Sequence, residues 1–155
     1  MNTQKMTLAR LTRITGLDVL DHLERELTVP VIGGLQAQGD LIVIPLAMLA
    51  DVSIPGSARW REVPASGVEL LRGAAGGNPH TLAADHATCR WTTSVDDPQR
   101  LALGALKTDA TAYLIHPEHG ASGIAPGTYV VRRQRERDHR VRDVRGGRGD
   151  RVIAD

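Results

Sequence analysis

Between residues 35 and 136 the chain is interrupted by Gly, Pro or Asp at intervals of about ten residues, and this spacing limits what it can become. The pieces left between the breaks are too short for core-spanning helices and long enough for strands. Gly39-Asp40 opens "LIVIPL", in which Ile42, Val43 and Ile44 favour extended backbone. "SIPGSARWREVP" reads as a turn and a short strand, and "GVELLRG" as another. "HTLAAD" and "TCRWTTSV" flank Asp85-His86 as a hairpin, "RLALGALKTD" leads into "ATAYLIH", and "GTYVVRRQRE" closes the series. The expected fold is mainly β, a small sandwich or cupin-like barrel of about seven or eight short strands.

Such a domain must be packed almost without rings. Phe is absent, and Trp60, Trp91, Tyr113 and Tyr129 are the large aromatics, so Val, Leu, Ile and Ala have to fill the core. The 155 residues suffice for one domain with short appendages. Residues 35–136 are expected to form the all-β domain, and residues 1–30 an N-terminal helical arm. In that arm Met6, Leu8, Leu11 and Ile14, then Val19, Leu20, Leu23 and Leu27, recur with helical period. Thr15-Gly16 breaks the run and Asp18 is placed to cap a second helix, whose outer side would carry Asp21, Glu24, Arg25 and Glu26.

Residues 137–155 form an Arg/Gly-rich tail, "RDHRVRDVRGGRGDRVIAD", that has little to bury and is expected to be flexible or ordered by a partner. Charge is correspondingly uneven. Residues 132–155 hold nine Arg against five acids, although the whole chain carries a net charge of only +1. A nucleic acid or an acidic protein would therefore be met by this end of the chain. Cys89 is the single cysteine, which excludes an intramolecular disulfide and fits a reducing compartment. With no secretory signal and no apolar run of membrane-spanning length, the chain reads as soluble and cytoplasmic, without a membrane partner.

Among six histidines, three stand in stiffened loops. His116 and His119 flank Pro117 and Glu118 in "HPEH", and His80 ends "GGNPH". On a regular strand, residues three apart face opposite ways, so both members of the HxxH pair can reach one ligand only if the chain bends between them. Proline favours such a bend. Three neutral imidazoles with an open position suit zinc or iron, and Glu118 could be a further ligand, an outer partner of the ligands or a base. His22 and His139 lie in polar or charged surroundings and carry no such signal, and His86, in the turn "AADHAT", is ambiguous. No nucleophile elbow, phosphate loop, paired carboxylates or Cys ligand set is present, so no reaction is named.

The basic strand offers a different function. In "TYVVRRQRE", Tyr129, Val131, Arg133 and Arg135 share one face and Val130, Arg132, Gln134 and Glu136 the other. The strand should leave the core near Val131. Arg132, Arg133 and Arg135 could then contact phosphates or carboxylates, and Tyr129 could supply a stacking surface. This alternative is a non-enzymatic binding or assembly module that grips nucleic acid, another polyanion or neighbouring subunits of a homo-oligomer.

Gln38-Gly39-Asp40, Asn78-Pro79-His80, His116-Pro117-Glu118-His119 and Pro126-Gly127-Thr128-Tyr129, the last running into Arg132-Arg133-Gln134-Arg135-Glu136, follow one another in a recognisable order. This order resembles that of a group of short uncharacterised bacterial proteins with the pattern QGD, GHxH, HxEH and PPGxYxVxRQRE. The resemblance implies no established activity. Asn78 stands where the pattern has its first histidine, so this chain keeps three of four imidazoles and has a weaker donor in the fourth place. The layout is also similar to a cupin in outline, but no histidine follows Pro126-Gly127 closely, and the likeness bears on fold alone.

Overall fold

A computed structural model describes residues 5–20, 23, 25, 27–72 and 78–134. Its helix, α1 (Leu8–Thr15), starts where the Thr7 side chain accepts a hydrogen bond from the Arg10 amide at 3.1 Å and ends where the Gly16 amide donates to Thr12 O at 2.8 Å. The second helix expected from the Val19–Leu27 periodicity is not formed by the described residues there, among which Asp21, His22, Glu24 and Glu26 are not counted. The chain there is tied into the rest of the fold. Leu20 N–H donates to Pro117 O at 2.8 Å, and Val19 O accepts from the Arg25 guanidinium at 2.9 Å. An apolar period of 3.6 was not enough to decide the local structure.

Eleven strands follow among the described residues: β1 (Val31–Ile32), β2 (Gln36–Gln38), β3 (Leu41–Pro45), β4 (Arg61–Glu62), β5 (Val68–Arg72), β6 (Pro79–Ala83), β7 (Cys89–Thr92), β8 (Ala102–Thr108), β9 (Ala112–His116), β10 (Gly120–Ile124) and β11 (Gly127–Arg133). Eight of them are the pieces anticipated from sequence. The three unforeseen ones, β1, β2 and β10, are either two or three residues long or, as in "GASGI", nearly free of β-branched side chains. They lie in two sheets, ordered β1-β10-β9-β6-β5 and β2-β3-β11-β8-β7-β4. The architecture is a sandwich and not a closed barrel. All pairings are antiparallel except β1 with β10.

Alternation along each strand builds the core between the sheets. Leu41 and Val43 of β3, Leu106 of β8, Trp91 of β7 and Tyr129 and Val131 of β11 meet Leu82 of β6, Ala112 and Leu114 of β9 and Ile124 of β10. Each aliphatic side chain buried this fully contributes about 1.5–3 kcal/mol. The opposite faces are covered as well. Leu8 and Leu11 of α1, with Val19 and Val29, pack on Ala83 and Ile115 outside the five-stranded sheet. Val52, with Leu46, Leu49, Ile54 and Trp60, covers Ala105 and Val130 outside the six-stranded sheet.

Candidate metal centre

The period-two rule that sends Leu82 and Leu114 into the core sends His80 and His116 to the same inner face. Thr81 pairs with Ile115 and Leu82 with Leu114, so His80 and His116 occupy the next opposed positions of the β6–β9 ladder. Both are buried, at 3% and 5% exposure. The apolar core thus ends on two imidazoles whose ring centroids lie 4.4 Å apart.

His119 arrives from the β9–β10 connection. His116 pairs with Gly120, which leaves Pro117, Glu118 and His119 as a three-residue hairpin loop. The bend required by the HxxH spacing is this loop. It returns the His119 ring to within 4.5 Å of the His116 centroid and 6.3 Å of His80. Glu118 joins them: one donor atom each from His116, Glu118 and His119 lies within 4.8 Å of the others, a group that could hold a metal ion. Metal–nitrogen bonds of about 2.1 Å place two ligating rings roughly 5 Å apart, comparable to the spacings of His116 from His80 and from His119, whereas His80 and His119 are farther from each other.

The other sheet closes the site. Gly39, in the β2–β3 turn, has φ +55° and comes so close that a β-carbon there would meet His119 Nε2 at 2.9 Å and His80 Cε1 at 3.1 Å. Its neighbour Gln38 is buried. The Gln38 amide nitrogen donates to Leu114 O at 3.0 Å, which turns Oε1 towards His80 Nδ1, also at 3.0 Å. A carbonyl oxygen can only accept, so His80 carries its proton on Nδ1 and presents the Nε2 lone pair. Two residues earlier Gln36 makes a similar stitch, donating to Gly123 O at 3.1 Å and accepting from Ser122 Oγ at 2.6 Å.

Electrostatics keeps the two inner rings neutral. Burial, then the neighbouring His116 and His119, lower the His80 pKa to about 4, with Asp40 opposing. Burial and His119 also lower that of His116, while Glu118, a hydrogen bond with the Asn78 backbone and Asp40 act in the other direction. A neutral imidazole is the form that binds a metal.

The predicted site residues divide clearly. His80, His116, His119 and Glu118 come together, and Asn78, whose side chain is exposed, borders them through its backbone. The proposed polyanion surface does not assemble as expected. Tyr129 is 2% exposed within the core and donates its hydroxyl to Ala125 O at 2.8 Å, so it has no free face for stacking. Arg132 is held at 2.8 Å by Asp97, whose side chain is 2% exposed. Asp97 also accepts from the amides of Gln99, Leu101 and Ala102. Burial works against its ionisation, but these hydrogen bonds and Arg132 outweigh it and lower the pKa. Arg133 is exposed, while Arg135 and the tail lie outside the described residues.

Gln38 and Asp40 were not foreseen as parts of the site. Their signal is the "QAQGD" stretch, in which two glutamines alternate into a glycine turn. The motif pieces also meet in space, since Gln134 N–H, just beyond β11, donates to Asp40 O at 2.7 Å.

Fold and site together define a small β-sandwich domain with a histidine- and glutamate-lined cluster at one end of its core. Residues 37–134, more than half of the chain, match the family described as Domain of unknown function (DUF8820), and the chain belongs to that family. The match begins within β2 and ends just past β11, so it includes every residue of the cluster. Neither the curated proteins nor the solved structures contain a match to the chain. Among the described residues no helix is long and apolar enough to cross a membrane.

Proposed function

We propose that this domain binds a divalent first-row metal ion, zinc or iron, in the cluster formed by His80, His116, His119 and Glu118. One observation carries the reading: His116, Glu118 and His119 each offer a donor atom within 4.8 Å of the others, and the His80 ring lies 4.4 Å from that of His116. Nitrogen and oxygen donors without thiolate suit these ions, since Cys89 is buried in the core. Low basicity of the inner rings favours the reading too, because protons compete weakly with a metal there. The exposed sides of Glu118 and His119 leave room for water or a small ligand on the ion.

Metal analysis of protein purified without a polyhistidine tag is the test. The expected result is close to one zinc or iron per chain, removed by chelator, restored on addition, and lost in the His80→Ala/His119→Ala double variant. Wild-type protein that takes up no stoichiometric metal would overturn the proposal.

A further inference from the structure

We propose that the mouth of the metal centre takes a small oxyanion, a carboxylate or a phosphate, held between the ion and the guanidinium of Arg133. This inference rests on the metal-binding reading above and adds the class of ligand that its open side recognises.

Strand register places Arg133. On β11, Tyr129 and Val131 face the core, and Arg133 is the next residue of the same parity. Its opposite number on β3 is Leu41, a fully buried core residue, and opposed residues of a ladder share a face. The pairing stays regular beyond them, since Gln134 N–H donates to Asp40 O at 2.7 Å. Leu41 in turn pairs with Gln38 of β2, whose side chain reaches His80. Gln38, Leu41 and Arg133 thus form one inward row across the end of the six-stranded sheet, above the strands that carry His80 and His116. Two strand spacings, roughly 10 Å, separate Arg133 from Gln38. The Gly39-Asp40 turn at the same end lies against His119 and His80.

Charge sets the sign of the ligand. With neutral imidazoles, the two charges of a divalent ion are offset by Glu118 and by Asp40, whose charge acts on both His80 and His116. Arg133 leaves the mouth with an excess of positive charge. Glu118, His119, Asp40 and Arg133 are all exposed, so a ligand can enter from solvent. The two neighbouring arginines differ in a telling way. Arg132 is held by Asp97, whereas Arg133 has no ion-pair partner among the described residues. An oxyanion on the ion through one oxygen keeps another that can accept from this guanidinium, a charge-assisted hydrogen bond.

The test is to titrate cobalt(II)-loaded full-length protein with acetate, with methylphosphonate and with neutral acetamide, following the absorption spectrum of the ion. Wild type should respond saturably to an anion and not to acetamide, and the tighter of the two anions identifies the ligand as carboxylate or phosphate. Arg133→Gln should bind that anion about 10–100-fold more weakly. Arg90→Gln, which removes an exposed arginine of β7 whose neighbours Cys89 and Trp91 face the core, should bind it as wild type does. Equal affinity in wild type and Arg133→Gln refutes the inference, as do equal losses in both variants or an equal response to acetamide. Cobalt-loaded wild type whose spectrum ignores both anions also refutes it and leaves the metal reading intact. Failure to take up cobalt overturns the metal reading, and this inference with it.

Discussion

A β-carbon added to Gly39 would stand 2.9 Å from His119 Nε2, although the two residues belong to different sheets. The turn of one sheet is thus packed against the histidine loop of the other, with no space for a side chain between them.

Gly39→Ala should consequently damage both stability and site. At φ +55° a non-glycine residue costs about 1–2 kcal/mol, and the contact forces His119 outward. Urea denaturation should show a loss of at least this size, and cobalt affinity should fall in the same variant. Unchanged affinity would mean that the turn does not hold the ring in place.

The neutral inner rings predict an acid-sensitive fold for metal-free protein. The His80 pKa falls from the ordinary 6.5 to about 4, so between these values the unfolded chain binds a proton that the folded chain refuses. Stability should be flat with respect to this group above pH 6.5, decline as pH falls towards 4, and level off below. The span corresponds to about 3 kcal/mol. His116, lowered for the same reason, steepens the decline. Denaturation at several pH values, in wild type and His80→Gln, should show a shallower slope in the variant.

Arg132 and Asp97 should matter to folding and not to ligand binding. Asp97→Ala strands a nearly buried guanidinium and three amide donors, a loss of about 3–5 kcal/mol. Asp97→Asn keeps acceptor capacity and should cost less. Because the carboxyl is held below its usual range, its contribution is present at neutral pH and fades as pH falls through that range. Cobalt affinity of folded Asp97→Asn should match wild type.

Tyr129 sits in the core, so Tyr129→Phe should lose about 1 kcal/mol with its hydrogen bond to Ala125 and leave any polyanion binding unchanged. Salt-dependent RNA binding that disappears in this variant would contradict its placement.

Much of this was legible in the sequence, for identifiable reasons. Turn chemistry marked eight of the strands, because "LIVIP", "AYLIH" and "TYVVRR" combine β-branched or aromatic residues with clear breaks. The bend in "HPEH" was legible, because proline restricts backbone choice, but "NPH" was misread as a loop, since Pro79 and His80 open β6 and His116 ends β9. The second helix was misread because the spacing of apolar residues carries no information on tertiary ties such as that of Leu20 to Pro117, nearly a hundred residues away. Arg132 and Tyr129 were misread for a related reason. Alternation along β11 predicts which residues share a face, but whether a face meets solvent depends on Asp97 and on the opposing sheet. The role of Gln38 is likewise non-local, since its two partners lie on β6 and β9.

Anomalous diffraction from crystals grown with zinc, recorded at the zinc edge, tests the central claim most directly. The account predicts a peak at the cluster, with at least three donor atoms from His80, His116, Glu118 and His119 at about 2.0–2.2 Å. Absence of a peak at the cluster in otherwise well-ordered crystals, or a peak held by other residues, would contradict it.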